Sequence, residues 1–205
     1  YVYDTDSLIV AGLSTDRGYF GIELADGRVL TYEGATNGGG GTTHINFYID
    51  GNIYTTDPFL PMTHPDVMDV IPDHSDTVSF ENLIVTDWFL GDSIQFTQTL
   101  HPYSVDSAGA VTVRYNIING DTLPHQVGVL LLLDTNINGR DNAPFYFSGW
   151  TDIIDSTLVI PGASIPQYCQ VYEYSPFDTT HPDQIVARII LDLAPNIKPD
   201  WLVIG

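Results

Sequence analysis

Apolar and polar residues alternate along most of the chain, and a period of two predicts strands, not helices. Phe20, Ile22 and Leu24 alternate up to Ala25-Asp26-Gly27-Arg28, and apolar residues return from Val29 to Tyr32, the pattern of a hairpin across an Asp-Gly turn. Ile45, Phe47 and Ile49 lead in the same way into Asp50-Gly51, with Ile53 and Tyr54 behind it. Ile94, Phe96 and Leu100 mark another strand, and Val111, Val113, Tyr115 and Ile117 alternate with Thr112, Arg114 and Asn116 on a wet face. Val127 to Leu133 is apolar throughout, which predicts a strand covered on both faces and central in a packed sandwich. Later strands are expected at Thr157 to Ile160, Gln170 to Tyr174 and Ile185 to Leu191. Two connections stand out by length. Thr36 to Thr43, with its GGGG run, is expected to be flexible or to lie against another backbone. Asp57 to Thr77, with four prolines and five aspartates, is expected to be a long loop of the kind that carries function.

These patterns predict an all-β chain, a two-sheet antiparallel β-sandwich. With no composition break and no fixed-period repeat, residues 1-205 are expected to form a single domain. A chain of 205 residues, 43% hydrophobic and 12% aromatic, is long enough to bury a substantial core.

Charge narrows the partners. There are 26 acidic residues against 6 basic ones, a net charge of −20, and because only four of the acids are Glu, 22 are Asp. Asp bonds its own backbone in turns, which suits a turn-rich β chain. Such a field repels nucleic acid and anionic membrane, both held chiefly through Lys and Arg, so neither partner is expected. Dense carboxylates also repel one another, so bound divalent cations or salt should stabilise the fold. Cys169 is the single cysteine and so has no internal disulfide partner; it reads as a small core or interface residue. The longest apolar stretch, near Val129 to Leu133, is too short to span a bilayer, and no signal peptide is recognisable. Low lysine content with abundant Asp, Asn, Thr and Tyr suggests an extracellular or cell-surface setting, and the chain contains no N-glycosylation acceptor.

The densest candidate chemistry lies in the stretch DTNINGRDNAPF. Asp134, Asn136 and Asn138 occupy alternate positions before Gly139, and Asp141 and Asn142 follow, a spacing with which Ca²⁺ loops wrap oxygen ligands around one ion. The twelfth loop position, where an EF-hand carries Glu, is Phe145, and a strand stands where an EF-hand has a helix. The alternative is that Asn138-Gly139 is only a type I′ hairpin turn. A second acidic stretch holds His64, Asp66, Asp69, Asp73, His74 and Asp76, either as a mixed His/Asp site or as solvated turn residues. Trp88, Tyr146 and Trp150 could stack on sugar rings, or fill the core. His101, His125 and His181 are scattered and read as surface-loop histidines. No nucleophile elbow occurs, and four Glu make a thin acid/base inventory, so no enzymatic activity is expected. The amino-terminal YVYDTDSLIVAGLS offers a strand that could pair with a neighbouring molecule's sheet edge or within its own sheet.

The segment VTVRYNIINGDTLPHQVGVLLLLDTNINGRDNAPF resembles a pattern of β-supersandwich domains of unknown function in large secreted bacterial surface proteins. Asn119, Leu132, Leu133, Asp134, Thr135, Ala143, Pro144 and Phe145 stand at the matching places. The resemblance covers about a third of the chain and implies a supersandwich similar to galactose mutarotases and some carbohydrate-binding modules. Asn138, Gly139 and Arg140 stand where that pattern has an acidic Asp-Gly pair nearer the "APF", a departure at the residues on which an inherited metal site would depend. The expectation from the sequence is a non-enzymatic extracellular structural or adhesive β-sandwich. It would be stabilised by Ca²⁺ and self-assemble through strand edges into a filament or surface layer. Binding to glycans is the alternative, followed by a sugar-acting enzyme of mutarotase-like fold.

Overall fold

The computed structural model describes residues 2–4, 6–14, 16–36, 43–78, 81–91, 93–106, 108–151, 153–154, 157–191 and 199–204. Strands make up 53% of it and helix 4%, so the chain is all-β and of sandwich type. It divides into two compact units, Tyr1–Asp134 and Thr135–Gly205.

The first unit contains β1 (Val2–Tyr3), β2 (Ile9–Leu13), β3 (Phe20–Leu24), β4 (His44–Ile49), β5 (Asn52–Thr55), a one-turn helix α1 (Leu60–Thr63) and β6 (Val67–Asp69). β7 (His74–Val78), β8 (Leu83–Leu90), β9 (Ile94–Val105), β10 (Ala108–Asn119) and β11 (Val127–Leu132) complete it. They form three sheets, ordered β1-β2-β3, β10-β9-β8-β7 and β11-β4-β5-β6. Period-two patterning puts Ile45, Phe47 and Ile49 of β4 on one face, where they pack against Trp88, Leu90, Ile94 and Phe96 of β8 and β9. Phe47 lies 4.5 Å from Phe96 and 5.2 Å from Trp88, ring centre to ring centre. Val2, Ala11 and Phe20 of the β1-β2-β3 sheet cover Ile84 and Leu100 further along the same β8–β9 face. The four-stranded sheet around β9 is therefore one layer, and the other two sheets pack on its inner face.

Turn chemistry sets the registers. Asp50 and Gly51 both have positive φ, 48° and 92°, and Ile49 pairs with Asn52 across them, a two-residue hairpin as expected from the Asp-Gly pair. The Asp26-Gly27 hairpin is shorter than its pattern suggests: after the turn only Val29 bridges back to Glu23, and Val29 to Tyr32 forms no strand. Asp57 to Thr77 is not one long loop. It contains α1, β6, which runs parallel to β5, and most of β7, because Pro61 suits a first helical turn and Val70 donates its N–H to the Thr55 carbonyl at 2.9 Å. The amino-terminal β1 pairs with β2 inside its own sheet. Of Thr36 to Thr43, residues 37–42 lie outside the described residues.

The second unit contains β12 (Phe145–Phe147), β13 (Ile153–Ile154), β14 (Leu158–Pro161), a 3₁₀ turn (Gly162–Ser164), β15 (Tyr168–Tyr172), β16 (Val186–Ile190) and β17 (Trp201–Ile204). A sheet ordered β13-β12-β15-β16 faces the β14–β17 ladder over Phe147, Ile160, Ile165, Cys169 and Ile204. Burial pushes the Cys169 thiol up to about 11, so it stays protonated and acts as a small core residue. Among the described residues no helix is long and apolar enough to cross a membrane.

Candidate functional site: the open edge of β11 and its flanking loops

β11 overturns one expectation from the sequence. Its apolar run pairs only with β4, Val127 to Leu132 against Ile49 to His44, and no described strand lies on its other side. It is an edge strand, not a central one. Val129 and Leu131 turn inward to the core, while Leu130 and Leu132 stand outward, 60% and 54% exposed. An unbroken apolar run is what a strand covered on both faces looks like, and here the second face has no cover among the described residues. No charge, proline or lysine interrupts Val127 to Leu133, the devices that usually keep such an edge from pairing.

The residues just before β11 are tied to the β4–β5 turn. Asp50 Oδ1 accepts the Gln126 N–H at 2.7 Å, and the Asp50 N–H donates to the Gln126 carbonyl at 3.0 Å, extending the β4–β11 ladder by a step. His125 lies between two carboxylates, with Nδ1 2.5 Å from Asp50 Oδ2 and Nε2 3.2 Å from Asp121 Oδ2. Asp121 also accepts the N–H groups of Thr122 and Leu123, at 2.5 and 3.2 Å. These bonds hold the Asp50 and Asp121 carboxyls below the ordinary range, the His125 contact being the largest cause for Asp50 and the Leu123 N–H for Asp121. Asp50 first, then Asp121, raises the His125 imidazole. Sequence reading set His125 aside as a loop residue. The only local signal was Asp121 four residues before it, since Asp50 is 75 residues away along the chain.

Beyond β11, the candidate calcium residues divide. Asp134 closes the first unit, where its carbonyl accepts the Tyr32 N–H at 3.1 Å. Asn136, Asn138, Asp141 and Asn142 belong to the second. Ile137 and Arg140 exchange both backbone bonds at 3.2 Å around Asn138 (φ 53°) and Gly139 (φ 85°), the geometry of a type I′ turn. Asn136 donates through Nδ2 to Asp141, and Asn138 donates through Nδ2 to Glu173 Oε1 at 2.9 Å. Each amide thus donates one N–H to a carboxylate, while Asp141 and Asn142 face solvent.

Glu173 is buried, and its other oxygen accepts the Ile185 N–H at 3.0 Å. Burial pushes its carboxyl up, but the bonds from Asn138 and Ile185 and the charge of Arg140 outweigh this and hold it below the ordinary range. Its stabilisation is therefore full above the ordinary Glu value and is lost as pH falls through the lowered one. Replacing Asn138 by Ala should lower the unfolding free energy by about 1–3 kcal/mol, because a buried acceptor loses its donor and a Cβ-bearing residue is left at positive φ. Asn138→Gly should cost less, since it keeps the turn. Urea unfolding of the two variants measures the difference.

The second acidic stretch does not converge. His64 and Asp66 are exposed on the turn between α1 and β6, and Asp69 pairs with Arg17. Asp73 accepts the Phe89 N–H at 2.7 Å, His74 faces Asp87 at 3.8 Å, and Asp76 accepts the Thr77 N–H at 2.7 Å. Among the described residues no group of three or more His, Cys, Asp or Glu is placed to hold one ion.

The three candidate stacking aromatics also part ways. Trp88 is wholly buried between Phe47 and its neighbours, so neither face of its ring is open to a sugar, which corrects the stacking role considered for it. Trp150 packs on Phe147 at 5.1 Å beside the core of the second unit, and Tyr146 is half-buried on β12. Compared with known proteins, the chain matches no family model, no curated protein and no solved structure, so its function has to be argued from this edge and these loops.

Proposed function

We propose that this chain is a non-enzymatic structural β-sandwich that joins to further copies of itself by strand pairing along β11. The observation that carries the reading is the outward pair Leu130 and Leu132 on an edge strand with nothing to blunt it. Covering one such leucine is worth roughly 1.5–3 kcal/mol, and pairing also satisfies the edge's backbone groups. Around this uncharged strip lies a molecule of net charge −20, so copies repel at a distance and associate when salt screens them. β11 against β11 about a two-fold axis closes at a dimer; a filament needs a second, different edge, and β10, an edge strand with Ile117 and Ile118 exposed, supplies one. An acidic, lysine-poor surface suits a location outside the cell, which is part of the same proposal.

Light scattering across protein concentration, at low and at about 0.5 M salt, tests the reading. Wild type should grow in size with both variables. Leu130→Asp should remain monomeric at an unchanged unfolding midpoint, because the side chain it replaces already faces water. A wild type that stays monomeric throughout, or a variant that assembles equally well, would sink the proposal. A Ca²⁺ arm tests the cation expectation separately: a melting temperature that rises with Ca²⁺ and not with NaCl, and no longer rises in Asp141→Ala, would place an ion at the Asn136–Asp141 loop.

A further inference from the structure

We infer that His125, Asp50 and Asp121 form a proton-dependent latch that orders the start of β11 and makes pairing through this edge strongest in mildly acidic solution. The inference deepens the assembly reading and rests on it for its consequence, but the latch itself stands on geometry within one unit.

An imidazole with a carboxylate at each ring nitrogen needs a proton on both, because a neutral ring has only one N–H and would turn a lone pair toward the second carboxylate. Among the described residues, the charged groups that face the ring are Asp50 from the β4–β5 turn and Asp121 from the loop that carries His125. The Asp50 carboxylate is held by the Gln126 N–H and that of Asp121 by the N–H groups of Thr122 and Leu123, so neither swings freely away. Asp50 also brackets Gln126, immediately ahead of Val127, by donating its backbone N–H to the Gln126 carbonyl and accepting the Gln126 N–H on its carboxylate. The latch therefore joins the hairpin turn to the residue from which the open edge begins.

The signs follow from the directions of the shifts. The raised imidazole contributes order that is complete below the ordinary histidine value and is lost as pH rises through its raised one. The two lowered carboxylates contribute above the ordinary Asp value and lose their part as pH falls through their lowered ones. The latch is closed between those limits, with the full imidazolium in mildly acidic solution. Acid also reduces the net negative charge and would favour assembly without any latch, so the test must remove His125 alone.

The experiment uses the whole chain in two forms. In the monomeric Leu130→Asp background, the His125 ring is titrated by NMR while amide exchange of Gln126 to Val129 is followed. The midpoint should lie above that of an ordinary imidazole and fall back toward it in Asp50→Asn/Asp121→Asn. Protection of those amides should drop as pH passes the midpoint, and His125→Gln should abolish this pH response. In the assembling wild type, light scattering against pH should show assembly weakening across the same interval, a step that His125→Gln lacks, leaving only the gradual charge effect. A ring that titrates at or below the ordinary value, or amide protection indifferent to its titration, overturns the latch whatever the assembly state. A latch that titrates as expected in a wild type that never assembles leaves the latch standing and removes the assembly reading.

Discussion

Replacing Trp88 by Ala is expected to lower the unfolding free energy of the first unit by about 3–5 kcal/mol. Its indole is wholly buried, with Phe47 against it, in the cluster that joins β4 to β8 and β9. The region cannot collapse easily around the gap, because Trp88 also supports the backbone of Gly18: a Cβ on that glycine would lie 2.3 Å from the indole. Among the described residues the indole N–H has no hydrogen-bond partner, so Trp88→Phe removes a buried orphan donor along with part of the ring and should cost distinctly less than Ala. Urea unfolding followed by far-UV circular dichroism measures both. A Trp88→Ala protein as stable as wild type would mean that the face of the β8–β9 sheet is not the core.

Gly21→Ala is expected to cost about 3 kcal/mol, a large effect for one added methyl. Gly12 and Gly21 pair directly across β2 and β3, leaving a bare strip on which the backbone of Gly34 and Ala35 rests. A Cβ on Gly21 would be 1.9 Å from the Gly34 carbonyl oxygen, and one on Gly12 2.1 Å from that of Ala35. The obstructing atoms are backbone, so the segment itself has to move. Movement would also pull Ala35 and Thr36 off the buried Glu23, whose Oε2 accepts their N–H groups at 2.9 and 3.2 Å. Alanine at Gly27, where the same construction meets nothing within 4 Å, sets the comparison: it bears the strain of positive φ, which Gly21 lacks, and no clash. If Gly21→Ala unfolds no earlier than Gly27→Ala, the segment does not lie on that strip.

The strands that were legible from sequence share a physical cause: their neighbours lie close along the chain. Asp50-Gly51 dictates a type I′ turn, so β4 and β5 pair in the register their alternation suggests. Val111 to Ile117 alternates because β10 folds straight back on β9. The Asn138-Gly139 turn was legible too, as the alternative to a calcium loop, since both residues tolerate positive φ. Local pattern misled where the partner is remote or missing. Val29 to Tyr32 has strand composition but only a single bridge to β3, and the prolines of Asp57 to Thr77 suggested loop where β6 finds a parallel place beside β5.

By itself, then, the sequence determined the class of the fold, most strand positions, the tight Asp-Gly and Asn-Gly turns and the net negative charge. Those properties reside in side-chain period, backbone φ preference and charge, all of which are local or additive. Tertiary structure alone decided that β11 is an edge, that Trp88 belongs to the core, and that His125 meets Asp50 from 75 residues away. An apolar strand has the same composition whether its outer face is covered or bare. Likewise, a loop histidine becomes a paired one only when the fold brings a carboxylate to each nitrogen.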